Sequence, residues 1–154
     1  MAADLAEIAF DAATRALDKQ ERVLEELRSR TGLLMAASSL TVAFLGRPAL
    51  NDEHAALAVV AVGAFAISMA ASVYVLLPKS TFYFALSGRH VFENLYEYRD
   101  DIGEVRRHLV YDMQRFWDGN DVVMRRLLLA FRIAAAALAL EVIALLAAIS
   151  DTIL

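Results

Sequence analysis

One carboxylate, Glu141, lies in the centre of an otherwise apolar stretch, RIAAAALALEVIALLAAIS at residues 132–150. An ionised carboxylate is costly in apolar surroundings, so we expect other helices to cover Glu141 and the acid to be neutral, able to donate a hydrogen bond. Ser39 and Ser68 lie near the middle of two other apolar stretches and are expected at the same depth. The sequence thus predicts an intramembrane polar site made of Glu141, Ser39 and Ser68.

Two interpretations of Glu141 stay open. In the first, the acid bonds to a serine or a backbone carbonyl and fixes the register of the helices. In the second, it belongs to an ion or proton path or to a ring at an oligomer axis, since ionisable residues inside membranes are often functional. Arg132 is no partner within the helix, because nine residues at about 1.5 Å each place it roughly 13.5 Å away on the opposite face.

The other titratable residues show no catalytic or metal-binding pattern. His54, His90 and His108 are dispersed, and the chain has no cysteine for a disulfide or a thiolate site. No zinc-protease, nucleophile-elbow or phosphate-loop motif occurs. We therefore expect no enzyme activity, no cofactor and no metal.

Basic residues suggest an anion or lipid contact rather than nucleic-acid binding. The formal charge of −4 argues against binding to a nucleic-acid polymer. Two adjacent pairs of arginines are able to attract an anionic lipid or a phosphate: Arg106, Arg107, Arg125 and Arg126.

The composition is that of a membrane protein. Hydrophobic residues make up 59% of the 154-residue chain, against about 45–50% apolar residues in soluble domains. Apolar stretches run at 31–46, 55–78 and 127–150, and a helix needs about 20 residues to cross the hydrocarbon core. The first stretch is short and depends on its flanks. We predict three transmembrane helices in the inner (plasma) membrane.

The distribution of basic residues sets the predicted orientation. Lys and Arg are in excess on cytoplasmic flanks, and residues 1–30 contain five of them and residues 79–126 contain eight. The 47–54 connection has only Arg47, and the tail after residue 150 has none. Because only three crossings put both basic segments on one side, we place the N-terminus inside and the C-terminus outside.

The two basic segments are predicted to be helical and to form a cytosolic subdomain. Apolar residues recur in both at steps of three and four, which is typical of amphipathic helices. WDGND at 117–121 interrupts this pattern before the third span. The predicted fold is therefore all-α, an integral membrane protein with a cytosolic helical part. Its predicted divisions are a cytosolic helix at 1–30, a transmembrane hairpin at 31–78, a cytosolic segment at 79–126 and the third span at 127–154.

Small residues recur along one side of each span. Membrane helices associate through close packing of small residues, because lipid tails are as apolar as leucine. Glu141 lies on such a line, which implies that it faces neighbouring helices and not lipid. The predicted helix-packing seam comprises Gly32, Ala36, Ala43, Gly46, Ala64, Ala134, Ala137 and Ala144.

The layout resembles a known family. LDKQERVLEELRSRTG at 17–32 runs into a small-residue span, a hairpin returns at residue 78, and YDMQRFWDGNDVVMRRLLLAFR at 111–132 leads into the last span. This is similar to the Pycsar transmembrane effectors and their SLATT-like relatives, small proteins of bacterial nucleotide-signalling antiphage systems. The resemblance implies an effector that oligomerises and permeabilises the inner membrane when a nucleotide signal arrives, although the chain has no recognisable cyclic-nucleotide-binding domain.

Three functions therefore stay open. The first is a membrane effector whose cytosolic helices control assembly into a pore or a membrane-disrupting oligomer. Its expected partners are the lipid bilayer, further copies of the chain, and a cytosolic nucleotide signal or a partner protein. The second is a non-catalytic membrane scaffold or a subunit of a larger complex. The third is a small ion or proton channel.

Overall fold

The predicted all-α class is confirmed, since the described residues form helices and no strand. The computed structural model of the protein describes residues 2–49, 55–79, 82–84 and 88–153. Its elements in chain order are α1 at Ala2–Ala49, α2 at Ala55–Leu76, α3 at Gly88–Leu95, a 3-10 turn at Tyr96–Tyr98, and α4 at Ile102–Ile153.

Local sequence explains where two of the helices stop and start. α2 ends at Leu76, two residues before Pro78, which lacks the N–H and the freedom to continue a helix. α4 begins after Asp101, whose Oδ1 accepts hydrogen bonds from the backbone N–H of Gly103 at 2.9 Å and of Glu104 at 3.2 Å. An aspartate that satisfies free N–H groups in this way is a strong N-terminal cap.

α1 and α4 are each continuous, with 48 and 52 residues. The predicted interruption at WDGND was wrong, because α4 passes through residues 117–121 without a break. One glycine costs a helix only about 1 kcal/mol relative to alanine. The burial of Met113 and Met124 on either side and the hydrogen bonds of Asn120 outweigh that cost. Gly119 is exposed, whereas Asn120 is buried and bonded to other parts of the chain.

The chain divides into two compact units, and α1 and α4 contribute to both. The polar unit comprises Met1–Glu25 and Lys79–Arg125, and the apolar unit comprises Glu26–Pro78 and Arg126–Leu154. We predicted divisions after residues 30, 78 and 126, and the units separate after residues 25, 78 and 125.

In the polar unit, α1 and α4 run parallel. Three contacts establish the direction, because both partners advance together along the chain. They join Glu7 to Arg106, Thr14 to Met113, and Gln20 to Asn120. The core of this unit contains large apolar side chains, namely Leu17, Leu24, Leu95, Met113 and Met124.

The apolar unit has small and hydroxyl residues through much of its interior, beside a few large apolar ones such as Leu127 and Leu145. Its surface carries large apolar side chains such as Leu33, Phe44 and Val59, which are 71%, 75% and 71% exposed. An exposed apolar surface of this extent marks an interaction with membrane or protein. Buried members include Thr31, Ser38, Ala61, Ala64, Ser68, Ser72, Ala130, Ala134, Ala137, Ala144 and Ala148.

The three helices of the apolar unit pack side by side. α2 is antiparallel to α4, because Ser68 contacts Ala134 while Ala61 packs with Ala144 and Ala148. α1 is parallel to α4, because Ser38 contacts Glu141 and Leu45 packs further along against the Ala144 cluster. Among the described residues, two helices, α2 and α4, are long and apolar enough to cross a membrane.

Replacing Gly119 by alanine should stabilise the protein. An added Cβ at this exposed helical position meets no atom within 4 Å, so the gain is the helix propensity alone, about 0.5–1 kcal/mol. Thermal unfolding in detergent, followed by circular dichroism, should show a higher midpoint for Gly119→Ala.

The matched control is Gly103→Ala. There the added Cβ lies 3.1 Å from Oδ1 of Asp101, so it presses on the cap of α4 and the gain should be smaller or absent. A lower midpoint for Gly119→Ala than for the wild type would contradict a continuous α4.

Candidate functional site

The candidate site is the hydrogen bond between Ser38 of α1 and Glu141 of α4. The Ser38 hydroxyl donates to Oε2 of Glu141 across 2.6 Å, and both side chains are fully buried. Bonds of this length are at the short end for hydroxyl donors and are strong when the acceptor is a carboxylate. This contact joins two helices at the middle of the apolar unit.

One carboxylate oxygen of Glu141 makes no hydrogen bond to a described residue. This oxygen, Oε1, is buried. The hydroxyl of Ser72 on α2 is also buried without a partner there. A buried polar atom without a partner costs about 1–3 kcal/mol, so these atoms are the points of the apolar unit where a proton, a water molecule or another donor would be stabilised.

Ser39, predicted as part of the site, is not at Glu141. Its side chain is exposed and its hydroxyl donates to the backbone oxygen of Met35 within α1. Neighbouring residues of a helix point about 100° apart, so when Ser38 faces Glu141, Ser39 faces outward. The missed signal was a seven-residue spacing that starts well before the span, at Leu17, Leu24, Thr31 and Ser38, all of which are buried.

Ser68 is buried as part of a different contact. Its hydroxyl donates to the backbone oxygen of Ala134 at 3.1 Å and joins α2 to α4. Ala134 precedes Glu141 by seven residues, which is about 10.5 Å along the helix. Ser68 therefore does not reach Glu141, and the apolar unit contains two separate polar contacts between helices.

The predicted small-residue seam is only partly buried within the chain. The members on α2 and α4 are buried: Ala64, Ala134, Ala137 and Ala144. On α1, Gly46 is buried, whereas Gly32, Ala36 and Ala43 are exposed. α1 packs through the face that carries Thr31 and Ser38. Gly32, Ala36 and Ala43 point to another side of α1, so the other described helices leave them exposed.

Three of the four arginines proposed for anion or lipid contact are engaged within the chain. Arg106 pairs with Glu7 at 2.9 Å, Arg107 pairs with Glu104 at 2.8 Å, and Arg125 pairs with Asp121. Such exposed pairs stabilise by about 0–1 kcal/mol, so they are easily exchanged for another anion. Arg126 is exposed and pairs with no acid among the described residues.

A third polar contact, in the polar unit, was not anticipated from the sequence. Asn120 is buried, its Oδ1 accepts the N–H of Tyr83 at 3.2 Å, and its Nδ2 donates to the Tyr83 oxygen at 2.9 Å and to Oε1 of Gln20 at 3.3 Å. Gln20 in turn donates to the backbone oxygen of Trp117 at 3.2 Å. These bonds join α1, α4 and the segment after α2. The sequence signal was Asn120 within WDGND, which we took as part of an interruption.

The comparisons give no relative from which a function could be transferred. No protein family, curated protein or solved structure matches this chain. The class of the protein therefore follows from its own structure, an all-helical chain with two helices able to cross a membrane and a buried serine–glutamate contact between long parallel helices.

Replacing Ser38 by alanine should destabilise the apolar unit by about 1–2 kcal/mol, the upper end for a hydrogen bond between membrane helices, because Glu141 is left buried without its donor. Ser39→Ala is a matched control, one residue away and exposed, and should change stability by less than about 0.5 kcal/mol. Unfolding in mixed detergent micelles with increasing dodecyl sulfate measures both. Equal effects of the two substitutions would contradict the Ser38–Glu141 contact.

Replacing Asn120 by alanine should loosen the polar unit. The substitution leaves the backbone N–H and oxygen of Tyr83 without their partner, at a cost of about 1–3 kcal/mol. We expect faster tryptic cleavage after Lys79, which begins the same segment. Gln114→Ala, which removes only an exposed bond to Asp118, should leave the cleavage rate unchanged. The two variants should differ, and equal rates would count against the Asn120 contact.

Proposed function

We propose that the protein is a membrane effector that oligomerises to form a pore or to disrupt the inner membrane, under the control of its cytosolic helices. The proposed topology has three transmembrane helices, with the N-terminus inside and the C-terminus outside. In this topology the polar unit is cytosolic and the apolar unit lies in the bilayer. A role in antiphage defence rests on the resemblance to the Pycsar and SLATT-like effectors.

The packing of α1 supports a third crossing. Residues 31–46 are short for a span, but they contact both helices that are long enough. Ser38 bonds to α4, and Val42 and Gly46 line a small space together with Ala58 of α2 and Leu145 of α4. A segment packed along two membrane helices shares their depth, and its outward side chains, such as Leu40 and Phe44, are apolar.

The proposal that the cytosolic helices control assembly is based on the continuity of α1 and α4. Each helix leaves the charged polar unit and enters the apolar unit without a break. A helix of this kind transmits an axial rotation or a shift, because its backbone hydrogen bonds resist local deformation. A ligand or partner that changes the packing of the polar unit therefore acts directly on the helices that contain Ser38 and Glu141.

Uncovered small residues support oligomerisation. Gly32, Ala36, Ser39 and Ala43 are exposed on one side of α1 although small residues are the preferred contact surface of membrane helices. If the protein is a membrane scaffold instead, a helix of another protein would pack on the same surface. The unpartnered Oε1 of Glu141 is the observation that favours the second alternative, an ion or proton channel.

Dye entry and membrane potential in bacteria that express the protein from a tightly controlled promoter test the proposal. The wild type should depolarise the cells on strong induction, because a high concentration in the membrane favours the assembled state by mass action even without a signal. Glu141→Gln keeps the size and one acceptor oxygen of the side chain, and Glu141→Leu removes both acceptors. If the carboxyl itself is needed, both variants lose the effect. If a hydrogen bond to Ser38 suffices for assembly, only Glu141→Leu does.

The control is Ile143→Leu, a change of shape at an exposed position two residues away on α4, which should behave as the wild type. An absence of depolarisation with every variant, at membrane levels of protein equal to those of a known porin, would contradict constitutive pore formation. Capture of a stable partner by the same inactive protein would then favour the scaffold.

A further inference from the structure

The polar unit exposes an aromatic patch on one side. α3 packs inward through Leu95, which is 6% exposed, whereas Phe92 and Tyr96 point outward and are 68% and 52% exposed. Their ring centroids lie 5.4 Å apart, and the guanidinium of Arg99 lies 4.5 Å from the centre of the Tyr96 ring. We call Phe92, Tyr96 and Arg99 the aromatic patch.

The same unit has an open cleft between the first turns of α1 and α4. The cleft has a volume of about 480 Å³, and its floor is formed by small or apolar residues that include Ala6, Ala9 and Val110. Leu5 and Tyr111 on its edges are both 69% exposed. Asp101 and Glu104 give its rim two carboxylates beside Arg107. We call this the N-terminal cleft.

The patch and the cleft lie on opposite flanks of α4. His108 and Phe116 stack on the rings of Tyr98 and Tyr83, so that flank is covered by the chain's own segment. Val110 lines the N-terminal cleft, and Trp117 lines a smaller one that follows it. An α-helix has 3.6 residues per turn. The mean direction of Val110 and Trp117 around the axis of α4 therefore lies roughly 150° from the mean direction of His108 and Phe116.

The patch and the cleft also lie at the same level along the axis of α4. The cleft extends from Gly103 to Tyr111 of α4. The ring of Tyr98, two residues after Tyr96, lies 4.4 Å from the ring of His108, inside that interval. Two different surfaces on two sides of one helix allow a head-to-tail contact between copies, which forms a ring where the rotation from copy to copy closes.

We propose that the aromatic patch of one copy of this chain docks in the N-terminal cleft of the next copy. This inference rests on the proposed oligomer and names the contact that joins its subunits in the polar unit. The charges are complementary, because Arg99 belongs to the patch and the cleft carries Asp101 beside the ion pair of Glu104 with Arg107, which leaves it one net negative charge. Within its own chain, Arg99 donates from Nη1 to the backbone oxygen of Tyr96 at 3.3 Å, and its ion contact with Asp100 is long, at 4.0 Å.

The size of the contact shows why the spans must contribute to it. A buried aromatic side chain contributes about 150–250 Å², so two half-exposed rings and the matching cleft bury roughly 500 Å² in total. A stable interface buries about 1,200–2,000 Å². The docked patch alone is therefore a weak contact that becomes stable only with additional packing of the apolar units. Such a contact suits an assembly that is switched on by a signal.

Disulfide cross-linking tests this contact directly, because the chain has no cysteine of its own. The full chain is placed in vesicles of phosphatidylethanolamine and phosphatidylglycerol, oxidised, and separated on non-reducing gels. The double variant Phe92→Cys with Tyr111→Cys should give a ladder of dimers, trimers and larger species. Each single variant alone should stay monomeric, and a mixture of the two single variants should give dimers and nothing larger.

A matched control uses Phe92→Cys with Val122→Cys. Val122 is 54% exposed on α4 but lies eleven residues beyond Tyr111, about 16 Å along the helix, so this pair should give no ladder. Ala9→Phe, which fills the floor of the cleft, should abolish the ladder of the Phe92–Tyr111 pair.

Two results would overturn the inference and are distinguishable from failure of the proposed function. Dimers formed by Phe92→Cys alone would mean that the patch packs against itself across a two-fold axis. If light scattering of the extracted protein shows an oligomer but no ladder forms, the subunits contact each other elsewhere, and the proposed oligomer is retained. A monomer by light scattering under all conditions would contradict the proposed function and this inference together.

Discussion

The structure depends on a stripe of α4 in which every seventh residue is buried. Helices that keep a seven-residue repeat hold one side against their neighbours over their whole length. Most positions of this stripe are apolar, but two are polar and both are bonded to α1. The buried positions are Met113, Asn120, Leu127, Ala134, Glu141 and Ala148.

The two polar positions are of the kind that fixes helix register. In coiled coils, a single buried polar residue selects one alignment of the helices at some cost in stability. Asn120 contacts Gln20, and Glu141 contacts Ser38, so each unit carries its own alignment of α1 with α4. The apolar positions between them would tolerate a shift of one heptad, whereas an amide or a carboxyl without its partner would not.

The sequence predicted the helices and the apolar segments, because those depend on composition and on run length. It did not predict which side of each helix is covered. In the alanine-rich spans nearly every side contains small residues, so Ser38 and Ser39 were indistinguishable by type, and their difference of 100° decides which one bonds to Glu141. WDGND was likewise misjudged, since Gly119 and Asn120 weaken a helix locally while tertiary bonds to Asn120 maintain it.

In the proposed topology, the two units derive their stability from different forces. Leu17, Leu24 and Met113 are buried by the hydrophobic effect, which operates where the unit is in water. Between helices in a bilayer that force is absent, and close packing with hydrogen bonds of about 0.6 kcal/mol on average replaces it. In the apolar unit, α1 is therefore held against α4 by the fit of small side chains and by the bond from Ser38 to Glu141.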